Sequence, residues 1–330
     1  LTEPGPRQFA GDAPMVEHVT LVEVAPRDGL QSDGAIVSTE AKLTLIELAV
    51  SAGLRRIETA SFVNPAKVPQ MADSDAVMEE LHRRRDASGP GSPMATTSFI
   101  GLVLNRRGFD RAAAARCDEV NAVVPVSDTF SLRNQGTDTD GALSVWAEIA
   151  RESAAAGLPA SVTLTTGFGC PYEGEVPLER LAHVARRCAE AGGDEIALAD
   201  TIGVAVPTDV RARVELLREV IDDVGAGQRL RVHFHNTRNT GIASVVAAVE
   251  EGVRVVDASL GGIGGCPFAP NATGNVPTED VAYLLERMGF DTGVDLDRLI
   301  DAVRWMSTDE LLGHDTPGLL ARAGVFPPRG

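Results

Sequence analysis

Short apolar runs rich in β-branched residues alternate along the chain with longer stretches whose apolar positions recur every three or four residues. The short runs predict strands at 19–25, 56–62, 95–103, 119–126, 160–166, 195–200, 230–235 and 254–260. The longer ones predict helices, among them 38–52, 73–85, 143–156, 177–191, 207–224 and 242–251. In 38–52, Leu43, Ile46, Leu48 and Val50 follow a Ser-Thr start, and Gly53 supplies the stop. Strand-then-helix order through eight strands predicts the α/β class and a (β/α)8 TIM barrel, because each crossover helix must cover the outer face of the sheet. A doubly wound open sheet is the competing arrangement.

The placement of polar residues separates the two. Arg27, Asp28, Glu58, Ser127, Thr165, Asp200, His233, His235 and the glycine run from Gly261 all lie at or just past predicted strand ends. A barrel gathers those ends on one face, where barrel enzymes build their active sites. The expected organisation is a flexible N-terminal segment at 1–16, a barrel at 17–290, and a C-terminal helical extension at 291–330 packed on the barrel. The Ser/Gly/Pro stretch at 88–93 reads as a loop, not a linker.

Composition narrows the classes. A 44% hydrophobic, 23% charged chain has enough apolar material for a large core. A formal charge of −17 argues against nucleic acid and anionic membrane as partners. The four cysteines, Cys117, Cys170, Cys188 and Cys266, have no paired spacing, so reduced thiols in a cytoplasmic protein are expected. Residues 1–16 lack the basic-then-apolar pattern of an export signal, and no run of about 18 apolar residues suggests a span.

Three constellations carry chemistry. In Arg231-Val232-His233-Phe234-His235-Asn236, alternation along a strand points both imidazoles to one side. Such a pair can hold one divalent metal, or can satisfy hydrogen bonds inside the barrel. In Glu23-Val24-Ala25-Pro26-Arg27-Asp28-Gly29-Leu30-Gln31, a strand ends in adjacent guanidinium and carboxylate groups. These form either an ordinary salt-bridged strand end or an oxygen ligand, Asp28, beside an arginine able to hold a developing oxyanion. The third is Gly261-Gly262-Ile263-Gly264-Gly265-Cys266-Pro267-Phe268, closing with Gly274-Asn275. Its glycines suit a lid that approaches a ligand closely, and it lacks the order and the lysine of a nucleotide-binding P-loop. Cys266 is either a small buried hydrophobe or a thiol that a closing lid brings to substrate for proton transfer.

Several segments together resemble the hydroxymethylglutaryl-CoA lyases of the DRE-TIM metallolyase superfamily. They are Glu23 to Gln31, Ile57-Glu58-Thr59 on to Val68-Pro69-Gln70-Met71, Gly169-Cys170-Pro171-Tyr172-Glu173-Gly174, Asp200-Thr201-Ile202-Gly203, the histidine pair, and Gly264-Gly265-Cys266-Pro267 with Gly274-Asn275. They run in the family's order and cover roughly residues 19–293. The resemblance implies a divalent metal, Mg²⁺ or Mn²⁺ with other divalent ions as alternatives, held by Asp28, His233, His235 and Asn275. It implies that Arg27 stabilises an enolate, that Cys266 transfers a proton, and that Glu58 and Asp200 are acidic residues of the site. Gln31, Asn134 and Thr201 match polar positions around substrate. The implied substrate is an acyl-CoA, cleaved in a retro-Claisen reaction: 3-hydroxy-3-methylglutaryl-CoA to acetyl-CoA and acetoacetate, or citramalyl-CoA to acetyl-CoA and pyruvate. A Claisen-type synthase or an aldolase of the superfamily is the more distant alternative, and a homodimer is expected.

The chain departs from the family at two places. Asn236-Thr237-Arg238-Asn239-Thr240-Gly241 stands where the family usually continues with Asp-Thr-Tyr-Gly. An amide therefore replaces a carboxylate beside the histidines, altering the expected support of those ligands, and Arg238 brings a cation toward the mouth. Lys67 is shifted by one position from the family's basic residue.

Overall fold

The computed structural model describes residues 16–32, 34, 36–265 and 274–327. Eight parallel strands close into a barrel: β1 (Thr20–Glu23), β2 (Arg56–Ser61), β3 (Ser98–Val103), β4 (Glu119–Pro125), β5 (Ala160–Thr165), β6 (Glu195–Asp200), β7 (Arg229–Phe234) and β8 (Val255–Ala258). Each pairs with its sequence neighbour, and β1 pairs with β8 to complete the ring. The expected barrel is the observed one, and its eight strands coincide with the eight predicted runs.

Two of the boundary shifts have clear local reasons. The third run begins at Ser98, not at 95, because residues 95–97 are drawn into the preceding turn. There Ser92 Oγ accepts from Ala95 N (3.1 Å) and Thr97 Oγ1 donates to the Pro93 carbonyl (2.7 Å). The first run stops at Glu23 and gives way to a π-helical turn at Ala25–Gly29. Pro26 has no N–H for a sheet ladder, and the Val24 carbonyl accepts from Arg27 N, Asp28 N and Gly29 N at 3.2, 2.7 and 3.1 Å. Besides the predicted helices, Arg106–Ala114 and Asp128–Gln135 follow β3 and β4. A two-residue hairpin, Gly169–Cys170 with Gly174–Glu175, follows β5. In the C-terminal region, Leu296–Met306 buries Leu299, Ala302, Val303 and Met306 and packs on Thr39–Ser51. Residues 1–15 of the expected N-terminal segment lie outside the described residues.

The barrel interior is unusually charged. Near its N-terminal end Arg56 Nη2 meets Glu119 Oε2 (2.6 Å) and Glu195 Oε1 (3.0 Å). Arg231, 1% exposed, meets the same Glu195 oxygen (3.3 Å) and, through Nε, Asp257 Oδ1 (3.4 Å). Such charges are held in a dry interior only when each has an opposite partner. Apolar packing lies between strands and helices, with Trp146, Phe99, Phe234 and Ile57 among the most buried side chains.

Two carboxyls lie buried beneath the mouth. Glu23 accepts from Ala25 N (2.8 Å), Leu260 N (2.9 Å) and Thr278 Oγ1 (2.7 Å), while Glu279 accepts from Gly261 N (3.0 Å). Burial pushes Glu23 up to about 7 and Glu279 up to about 8, from 4.5 for a free glutamate. An acid whose folded-state pKa is raised stabilises the fold below its unfolded pKa. That contribution is lost as pH rises through the folded value, here toward about 7 and about 8. Glu279→Gln is therefore expected to gain in melting temperature relative to the wild type as pH is raised from about 5 to about 8. Scanning calorimetry across that interval checks it, and a constant difference would refute the assignment.

Candidate metal and active site

The π-helical turn sets two consecutive charged side chains at the mouth of β1. Arg27 Nη1 donates to Asp28 Oδ1 (2.7 Å), and Nη2 donates to Glu58 Oε2 (2.6 Å) on β2. Glu58 Oε1 accepts from Asn121 Nδ2 (3.2 Å), and Asn121 Oδ1 accepts from Thr163 Oγ1 (3.0 Å). The guanidinium is thereby fixed by a polar chain running from β1 through β2 and β4 to β5. Burial opposes the charge on Arg27, but Glu58 and Asp28 outweigh it and raise its pKa.

His233 and His235 project together from the end of β7, their ring centroids 5.2 Å apart. One nitrogen of each and a carboxylate oxygen of Asp28 lie within 4.8 Å of one another. His233 Nδ1 lies 3.2 Å from Asp257 Oδ2 on β8, leaving Nε2 for the mouth. Burial, then the neighbouring His233, pushes His235 down to about 3, so it is a neutral imidazole with a free lone pair. Burial alone would raise the Asp28 pKa, but Arg27, then His233, His235 and Asn275, hold it down at about 2. Asn275 Nδ2 donates to Asp28 Oδ2 (2.8 Å) and the Ile263 carbonyl (3.0 Å), while its buried Oδ1 has no hydrogen-bond partner among the described residues. A buried amide oxygen without a donor is what a hard cation beside Asp28 would satisfy. Gly264 makes this approach feasible: at φ +108° a Cβ there would lie 2.5 Å from Asn275 Nδ2 and 3.0 Å from Gly29 Cα.

A cavity of about 710 Å³ opens from these residues across the barrel mouth. Its wall includes Arg27, Asp28, Gln31, Thr201, His233 and His235, with Asn134 on the rim and the cations Lys67 and Arg133 nearby. Glu58 acts one layer back, through Arg27. Asp200 does not line the cavity; its carboxylate accepts from Val204 N (3.0 Å) and Ala205 N (2.9 Å) and so shapes the loop after β6. Thr201 Oγ1 accepts from Thr166 N (2.8 Å), bracing that loop against the end of β5. Cys266 lies outside the described residues.

Asn236 and Arg238, which depart from the family pattern beside the histidines, have local roles. Asn236 Oδ1 accepts from Gly241 N (3.1 Å), closing the turn into the helix Gly241–Glu250. Arg238 Nη1 donates to the carbonyls of Ile202 (2.9 Å) and Gly203 (3.0 Å), tying the β7 loop to the β6 loop. The side chain hydrogen-bonded to His233 is Asp257, which the sequence reading missed. The signal was available: in Val255-Val256-Asp257-Ala258 a single acid interrupts an apolar strand, and it pairs in register with His233. Asn121 and Thr163 were missed likewise.

A family model described as HMGL-like matches residues 18–306. The chain is 42% identical over 313 residues to (R)-citramalyl-CoA lyase of Chloroflexus aurantiacus, covering 94% of this chain and 97% of that protein. It is 40% identical over 282 residues to hydroxymethylglutaryl-CoA lyase of Pseudomonas mevalonii, covering 86% and 89%. Among solved structures, an HMG-CoA lyase from A. baumannii in complex with coenzyme A and 3-methylmalate superposes with a TM-score of 0.84 at 36% identity. That match covers 95% of this chain and 97% of the other.

Proposed function

Since the chain belongs to the HMGL-like family and is a lyase, we propose that it cleaves a branched 3-hydroxyacyl-CoA by a divalent-metal-dependent retro-Claisen reaction at the mouth of the barrel. The observation that carries the reading is the convergence of Asp28, His233, His235 and the unpartnered Asn275 amide oxygen beside Arg27. Two neutral imidazoles, one carboxylate and one amide oxygen suit a hard octahedral ion with positions left for substrate oxygens, hence Mg²⁺ or Mn²⁺. When bound, the ion supplies Lewis-acid polarisation of the substrate's hydroxyl and carbonyl oxygens.

The chain's own groups do the rest. A base takes the proton of the 3-hydroxyl, that oxygen becomes the carbonyl of a ketone, and the bond between C2 and C3 breaks. Its electron pair passes to the thioester as an enolate. Arg27, braced by Glu58, offers N–H donors to the enolate oxygen, where charge grows as the bond breaks. Cys266 would deliver the proton that turns the enolate carbon into the methyl of acetyl-CoA. Gln31, Thr201 and Asn134 contribute polar groups along the cavity, and Lys67 and Arg133 on its wall suit the phosphates of coenzyme A.

The acyl group is proposed to be 3-hydroxy-3-methylglutaryl, as in the P. mevalonii relative. The 42% identical citramalyl-CoA lyase supports the second reading, in which the carboxylate sits one methylene closer to the cleaved bond. Incubation with each acyl-CoA and Mn²⁺, followed by product analysis, separates them: acetoacetate beside acetyl-CoA supports the first, pyruvate the second. Release of neither would refute both.

A further inference from the structure

We propose that Asp257, fixed from below by Arg231, is the positioning residue that sets the tautomer of His233. This rests on the reading of His233 as a metal ligand and extends it to how the imidazole is made ready.

The geometry follows from strand register. Asp257 on β8 pairs directly with His233 on β7, so the two side chains lie side by side inside the barrel. Asp257 is 5% exposed, and Oδ2 stands 3.2 Å from His233 Nδ1. A carboxylate held ionised beside a buried guanidinium accepts from the imidazole, so the proton belongs on Nδ1 and the lone pair on Nε2. The second neighbour is the Arg231 guanidinium, two residues before His233 on the same face of β7, whose Nε makes an ion pair with Asp257 Oδ1 at 3.4 Å without a hydrogen bond. Arg231 is in turn held by Glu195 (3.3 Å), and Glu195 by Arg56 (3.0 Å). Each Asp257 oxygen thus has one assigned neighbour, and the carboxylate cannot turn without bringing an acceptor away from a buried cation. His235 has no such support among the described residues, where its buried Nδ1 has no hydrogen-bond partner. The two histidines are therefore unequal, one pre-oriented and one not.

This arrangement makes an unusual demand on the isosteric replacement. In Asp257→Asn, the negative end of the amide, its oxygen, is drawn to the buried Arg231 cation, where an NH₂ group would be repelled, so the NH₂ group turns toward His233 Nδ1. Nδ1 then becomes the acceptor, the proton moves to Nε2, and the lone pair meant for the metal is occupied. Asp257→Ala merely leaves the ring unguided. Mn²⁺ affinity, followed by the electron-paramagnetic-resonance signal of the free ion, is expected to fall about 10–100-fold in each variant. The fall should be at least as large for Asn as for Ala. In the wild-type protein, ¹⁵N-histidine NMR above neutral pH is expected to find the His233 proton on Nδ1, with the resonance identified by its loss in His233→Ala.

A folded Asp257→Asn that takes Mn²⁺ as tightly as the wild type would overturn the proposal. So would a milder effect for Asn than for Ala, or a wild-type His233 protonated on Nε2; the NMR result needs no variant of Asp257 to fold. Failure of the wild type itself to bind Mn²⁺ would sink the metal reading instead.

Discussion

Asp28→Ala is expected to lower turnover by about 10³-fold or more and to weaken Mn²⁺ binding on a similar scale. Asp28 is the single carboxylate in the cluster with His233 and His235, so it alone cancels formal charge on a divalent ion. Lewis-acid stabilisation of a transition state is worth several kcal/mol, and about 1.4 kcal/mol corresponds to a factor of ten. The fold should tolerate the change. Arg27 keeps Glu58 (2.6 Å) and Asn275 keeps the Ile263 carbonyl (3.0 Å), so no buried charge loses its last partner. Steady-state thioester cleavage and Mn²⁺ titration measure the two effects; a folded variant with both unchanged would remove Asp28 from the site.

Arg27→Ala is expected to cost turnover about as heavily as loss of an oxyanion donor, on the order of 10²–10³-fold, with Mn²⁺ affinity changed much less. It should also destabilise the protein, because Glu58, 3% exposed, is left with only the Asn121 amide (3.2 Å). Stranding one partner of a buried ion pair costs about 3–5 kcal/mol, which in a chain of this size lowers the melting temperature by roughly 4–7 °C. Adding Glu58→Gln removes the stranded charge. The double variant should therefore regain much of the stability and none of the turnover. Recovery of both would mean that Arg27 acts through folding alone, and recovery of neither would mean that the ion pair has been misjudged.

Much of this was legible in the sequence because hydrophobic alternation and strand-end polarity are local signals. His233 and His235 could be placed on one face from spacing alone, and Asp28 from its position after a strand. The π-helical turn was not legible, because Pro26 signals the end of a strand without signalling how the next five residues wind. Asp257 and the ionic column were missed for another reason. Arg56, Glu119 and Glu195 begin their strands, where charge ordinarily means solvent, and only barrel closure turns those positions inward. Asp200, which the family resemblance implies as an acidic residue of the site, has both carboxylate oxygens accepting from the backbone of residues 204 and 205.

That column bears on how the protein folds. Its members come from β2, β4, β6, β7 and β8: Glu195, Arg231 and Asp257 stand on three adjacent strands, and Arg56 meets Glu195 only once β2 and β6 face each other across the closed barrel. A half-barrel of β1–β4 would keep Arg56 and Glu119 hydrated, and a half-barrel of β5–β8 would carry an unbalanced acid. Desolvation is fully repaid only when the ring is complete, which favours cooperative closure over assembly of separate halves. The eighth strand brings Asp257 to His233 and pairs with β1, which leads into Asp28, so the candidate metal site is complete only when the barrel has closed.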